Sequence, residues 1–157
     1  MKAIILVIVL GAAAYYVLAN HSPFQLVETD PHYAEIRVNV PGTSVQLVGF
    51  GKMHSKEDCL ARSVIVWSEV FKKTGKLGLV KNDCNKELSP RYSALFENKP
   101  FHATYLVFEK GDNSERDGRF IIFGVPSSIV AKECSKIIDS AKTRYSGKVY
   151  CVQGTVG

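Results

Sequence analysis

The sequence lacks every short motif that would announce a reaction. No G-x-x-x-x-G-K-[ST] or G-x-G-x-x-G run is present to cradle a phosphate, and there is no H-E-x-x-H, no G-x-S-x-G elbow and no S-x-x-K. The four histidines, at positions 21, 32, 54 and 102, stand at no metal-ligand spacing. No two cysteines are closer than 17 positions, so the close C-x2-C pair of an ordinary zinc site is missing. Nor is any basic run denser than "FKKTGK". The net charge of +5 is therefore spread over a surface with acids interleaved, whereas a nucleic-acid binder concentrates its Lys and Arg on one face. No metal, cofactor or nucleic acid is expected, and no catalytic residue can be named.

Long apolar runs are also scarce, with one exception at the start. Lys2 is followed by "AIILVIVLGAAAYYVLA", residues 3–19, without a charge. A basic start at Lys2, an apolar centre over 4–14 and small residues near Ala19 are the parts of a cleavable signal peptide. The same run, about 26 Å long as a helix, sits at the lower limit of a membrane anchor, with Tyr15 and Tyr16 at the interface. Both readings send the rest of the chain out of the cytoplasm, because Lys2 is the only basic residue before Arg37 while Glu28, Asp30 and Glu35 intervene. The expected location is periplasmic or secreted, with membrane contact only through residues 3–19 if they are retained. Residues 20–33 read as a tether or a leading strand, and 34–157 as one domain.

Cys59, Cys84, Cys134 and Cys151 form an even set in an exported domain, which points to two disulfides. Chain geometry selects the pairing. A helix from Cys59 to Thr74 travels about 22 Å, and the strand from Lys76 to Cys84 returns about 26 Å, so Cys84 comes back beside Cys59. The same reckoning, less closely matched, joins Cys134 to Cys151.

The chain reads twice through the same order. "EIRVNV" and "SVQLVGF" flank Pro41-Gly42-Thr43 as a hairpin, a helix follows over 55–74 with Leu60, Val64, Trp67 and Phe71 on one apolar face, and "KLGLV" is a strand. Then "HATYLVFE" and "RFIIFGV" flank the charged loop "KGDNSERDG". A helix over 128–146 carries Val130, Cys134, Ile137, Ile138, Ala141 and Tyr145 on one face, and "KVYCVQ" closes the chain. Phe50-Gly51 aligns with Phe123-Gly124, giving pseudo-repeats over 34–84 and 102–153. The expected fold is α+β: a two-layer sandwich with a largely antiparallel sheet of about six strands and two helices on one face, a ferredoxin-like duplication of ββαβ units. Trp67 and Ile138 should pack against the sheet.

The stretch "VQLVGFGKMHSKEDC" has the look of a strand, a glycine turn and a helix. Ser55 followed by Asp58 resembles a capping box, and Glu57 with Asp58 places negative charge at the positive helix end. Those carboxylates would repel a phosphate, so the stretch is read as a helix start. At the second helix, Ser127 or Ser128 is the expected cap.

Residues 85–101 break the repeat. Ser89-Pro90 begins a short helix, and the segment carries Arg91, Tyr92, Leu95, Phe96, Lys99 and Phe101. One reading has Leu95 and Phe96 seal an edge of the core. The other makes Arg91, Tyr92, Phe96 and Lys99 a protein-binding surface, since aromatics and Arg are enriched at interfaces. The function expected is a non-catalytic extracytoplasmic module that binds another protein, as an inhibitor, an immunity-type protein or an accessory subunit of an envelope assembly. The alternative is a small exported enzyme of hydrolase type, with a site assembled from residues distant in sequence.

Overall fold

The structure, a computed structural model, describes residues 30–72, 77–143 and 145–155. The leader at 1–19, most of the 20–33 tether and the helix stop at Gly75 lie outside the described residues. No helix among the described residues is long and apolar enough to cross a membrane.

Six strands form one sheet: β1 (His32–Asn39), β2 (Gln46–Met53), β3 (Gly78–Asn85), β4 (Tyr105–Glu109), β5 (Asp117–Phe123) and β6 (Lys148–Val152). Their order is β3-β1-β2-β5-β4-β6 and every pairing is antiparallel. Each half is thus a hairpin whose first strand also takes the strand that follows the helix, and β2 meets β5 at the centre. The fold is α+β. The halves share this topology: in each, the long helix joins two parallel strands that flank a third, β2 and β3 around β1 and β5 and β6 around β4, which is a split β-α-β unit, but this likeness of topology does not establish a ferredoxin-like duplication. The Phe-Gly pairs also fall at different places. Gly51 stays inside β2, opposite Ala34 and Gly118, whereas Gly124 lies past the end of β5 with φ +77. A Cβ there would meet the Ser44 carbonyl oxygen at 2.3 Å, so position 124 needs glycine on both counts.

Both long helices lie on one sheet face. Helix α1 (Lys56–Ile65) runs on as a π-helical segment, Val66–Phe71. Ser55 caps it, its Oγ accepting from Asp58 N–H at 3.2 Å, while the Asp58 carboxylate accepts from His54 N–H at 3.1 Å. The stretch "VQLVGFGKMHSKEDC" is therefore a strand carrying two glycines and then a capped helix, with no glycine turn between. Helix α3 (Ser127–Ala141) starts after Pro126 with no side-chain cap, so neither Ser127 nor Ser128 takes the expected role. Val130, Cys134 and Ile137 are buried, with Ile138 and Ala141 packed beside them, as the periodicity implied.

Helix α1 departs from its expected face. Cys59, Arg62, Ser63 and Val66 are buried, while Leu60 and Val64 are 49% and 59% exposed. Two constraints turn the helix. Cys59 must face β3, where it is bonded to Cys84 with the Cα atoms 6.0 Å apart. Asp58 and Arg62 must face Arg116. Trp67 is half-buried against the same core as Ile138. The second disulfide, Cys134–Cys151, ties α3 to β6 with Cα atoms 6.4 Å apart, so each helix is stapled to an edge strand.

The loop between β4 and β5 is exposed over 110–113, as its composition implies, but its last two residues turn inward. Glu115 and Arg116 are 2% and 1% exposed. The Glu115 carboxylate accepts from the N–H groups of Gly111, Ser146 and Gly147. Arg116 Nε donates to Asp58 Oδ2 at 2.7 Å, and Arg62 Nε to Asp58 Oδ1 at 2.8 Å. One carboxylate thus joins both halves of the chain beneath the helices.

The opposite sheet face is covered by the 85–101 segment. Helix α2 (Pro90–Ser93) and a 3-10 turn, Ala94–Glu97, lay Tyr92, Leu95 and Phe101 onto Val48, Phe50, Tyr105, Val107 and Ile121. Arg119 of β5 fastens the segment: Nε donates to Leu95 O at 2.8 Å and Nη2 to Asn98 Oδ1 at 2.8 Å. Asn98 ends the 3-10 turn with φ 55, a conformation that Asn tolerates. Its amide nitrogen donates to Glu109 Oε1 at 3.0 Å, which also accepts from the Tyr150 hydroxyl at 2.6 Å. The buried guanidinium is so linked to a carboxylate through a neutral amide.

Candidate functional site

Between the start of β1 and the covering segment itself, an open cleft of about 510 Å³ remains. Strand β1 supplies Tyr33, whose side chain must point away from the helices because its neighbours His32 and Ala34 point toward them. The 3-10 turn supplies Phe96, which meets Tyr33 edge to face with centroids 5.3 Å apart. The Arg119 guanidinium, 4.8 Å from the Phe96 centroid, holds that ring in place. These two rings and Leu88 make the apolar part of the cleft.

Its polar part is acidic. Asp30, Glu87 and Glu97 line it together with one ammonium, Lys86, which pairs with Asp30 at 3.1 Å. Glu97 pairs with Lys99. On a chain of net charge +5, three carboxylates against Lys86 and the Lys99 that pairs with Glu97 leave a local excess of acid. The arrangement suits a cation beside an apolar group, since an aromatic ring and a carboxylate both attract a Lys or Arg head while the stem lies on the ring.

Next to the cleft, Glu35 of β1 is 6% exposed and accepts from Arg37 Nη2 at 2.9 Å and Lys81 Nζ at 2.8 Å. Burial by itself would raise its pKa, but the hydrogen bonds from Lys81 and Arg37 outweigh that and hold it below the usual carboxylate range. This ionised cluster stiffens the strand that carries Tyr33.

The residues that the sequence singled out do not converge. Phe96 lines the cleft, and Lys99 touches its rim through Glu97. Arg91 lies apart, within 3.2 Å of His102 Nε2 and with its guanidinium 5.5 Å from the Tyr92 centroid. Tyr92 is 5% exposed, its ring 4.7 Å from that of Phe50 and its hydroxyl accepting from Arg37 Nη2 at 3.0 Å. Sequence reasoning passed over Asp30, Tyr33, Glu87 and Glu97. The alternation of β1 could have put Tyr33 on the face away from α1, but nothing local indicates that residues 87–97 fold back beside it.

Tyr92→Ala is consequently expected to lower stability by about 3–5 kcal/mol, as for other large aromatic truncations in a core, while Arg91→Ala leaves the melting temperature nearly unchanged. Urea unfolding of the two single variants checks this. Equal, small losses would place Tyr92 at the surface.

The remaining chemistry is dispersed. Ser93 Oγ donates to Pro90 O, His32 Nδ1 lies 2.9 Å from Asp30 O, and His102 stacks on Phe123 with the centroids 5.8 Å apart. Among the described residues no group of three or more His, Cys, Asp or Glu side chains is placed to hold a metal ion. No family model, no curated protein and no solved structure matches the chain.

Proposed function

We propose that the chain is an extracytoplasmic, disulfide-stapled module that binds another protein, and that the cleft takes a segment presenting a Lys or Arg beside an apolar residue. The observation that supports this reading is the acid-lined aromatic cleft itself, whose two rings are fixed by β1 and by Arg119. Two disulfides are typical of proteins in oxidising compartments outside the cytoplasm. An inhibitor, an immunity-type protein or an accessory subunit of an envelope assembly would each work by such a contact. The hydrolase reading gains no support from the cleft, where the Ser93 hydroxyl is turned to the Pro90 carbonyl and no histidine is among the lining residues.

Glu87→Lys with Glu97→Lys tests the assignment. Both side chains are exposed, so the melting temperature should hold. A protein retained by the immobilised oxidised chain should bind the double variant at least ~10-fold more weakly, because like charges placed in contact oppose association. Equal retention by both forms would remove the cleft from the interface.

A further inference from the structure

Five large apolar side chains are exposed among the described residues, and four of them gather along one edge. Leu60 and Val64 project from α1, and Leu79 and Val80, 40% and 52% exposed, from β3. Among the described residues β3 pairs with β1 alone, and no described strand takes its outer row of peptide groups. Helix and strand are locked together there by Cys59–Cys84, and the Asn82 amide donates to Ser63 O at 3.4 Å. Asn82 and Ser63, and so Val64, therefore share one level along the edge.

We propose that this edge joins a second copy of the chain, with β3 pairing antiparallel to the other β3 about a two-fold axis through Asn82. Three features of the edge agree on that axis. A two-fold normal to the sheet keeps each face on its own side, so only residues of equal parity can oppose one another. Of those registers, one centred on Lys81 sets Lys against Lys and one centred on Asp83 sets Asp against Asp. The register centred on Asn82 sets Lys81 against Asp83 of the other copy, twice. These two residues already lie 3.4 Å apart within one chain, both on the face of Glu35.

The helices supply the second agreement. Helix α1 packs on β3, β1 and β2 on one face, so a two-fold normal to the sheet would set the two α1 helices antiparallel to each other on the same face of the joined sheet. The third is that Val64, level with Asn82, would then meet Val64 of the other copy, and Leu60 would lie against the later part of the facing helix. The slip in register between Arg37 and Val38, which leaves Val80 opposite no residue of β1, and the charges of Lys81 and Asp83 are features that blunt an edge against indiscriminate pairing. Here they also discriminate among registers.

This inference is independent of the cleft, which opens on the other sheet face. Sedimentation of the full-length oxidised chain at micromolar concentration is expected to show a dimer. Val64→Lys should raise the dissociation constant at least ~10-fold with the melting temperature unchanged. Because the leader could itself drive association, Val64→Cys supplies the second reading: it should form a disulfide-linked dimer on mild oxidation, whereas Ile129→Cys, an exposed position on α3, should not. A monomeric wild type, a Val64→Lys variant that sediments as wild type does, or equal cross-linking at both cysteines would each overturn the proposal.

Discussion

Replacing Asp58 with Ala is expected to lower stability by about 3–5 kcal/mol, the range for removing one partner from a buried ion pair. The side chain is buried and satisfies three donors at once: Arg62 Nε, Arg116 Nε and the N–H of His54. Its loss leaves two guanidinium groups, 2% and 1% exposed, without the carboxylate they share, and takes a negative charge from the first turn of α1. Burial by itself would raise the Asp58 pKa, but the hydrogen bonds from Arg116, His54 and Arg62 outweigh it and hold the group below the usual carboxylate range. The folded state thus binds that proton more weakly than the unfolded chain does. The stabilisation is present above about pH 4, the ordinary carboxylate value, and is lost as pH falls through the lower folded value. Glu35 acts in the same direction. Urea unfolding at pH 7 and pH 3 should therefore show wild type weakened by acid, and Asp58→Ala weakened less by the same change. A loss at pH 7 below about 1 kcal/mol, typical of surface positions, would mean that the cluster is dispensable.

Removal of the disulfides is the second large effect. Cys59–Cys84 and Cys134–Cys151 close loops of 25 and 17 residues, and each is expected to contribute about 3 kcal/mol in the chain-entropy description. Losing both approaches the whole stability of a small domain, about 5–15 kcal/mol. A Cys59→Ala, Cys84→Ala variant should melt well below wild type, and full reduction should bring the chain close to unfolding at 37 °C. A melting temperature within about 2 °C of the oxidised form, with four free thiols counted, would show that the staples are incidental.

The two staples were legible because their geometry is local. A helix out and a strand back return Cys84 to Cys59 whatever the rest of the chain does, and the same holds for Cys134 and Cys151. Helix α3 was legible for a similar reason, since its apolar stripe had no competitor. On α1 the apolar period named Leu60 and Val64, but the disulfide and the Asp58 cluster set the rotation and left both exposed. Arg116 reaches Asp58 across 58 positions, and Glu115 reaches Ser146 across 31, so the burial of these two charged residues at the end of an otherwise exposed loop has no local signature. Residues 85–101 stood out in the sequence as a departure from the repeat. That they would cover the second face of the sheet, turning Tyr92 inward and bringing Phe96 to Tyr33, depends on the pairing of β3 with β1, which no spacing within the segment encodes.

The cleft assignment is tested most directly by mapping amide chemical shifts of the oxidised chain as a captured partner is added. The changes should centre on Asp30, Tyr33, Glu87, Phe96 and Glu97 and vanish in the Glu87→Lys, Glu97→Lys variant. Shifts confined to α1 and β3, or to α3, with the cleft residues unmoved, would contradict it.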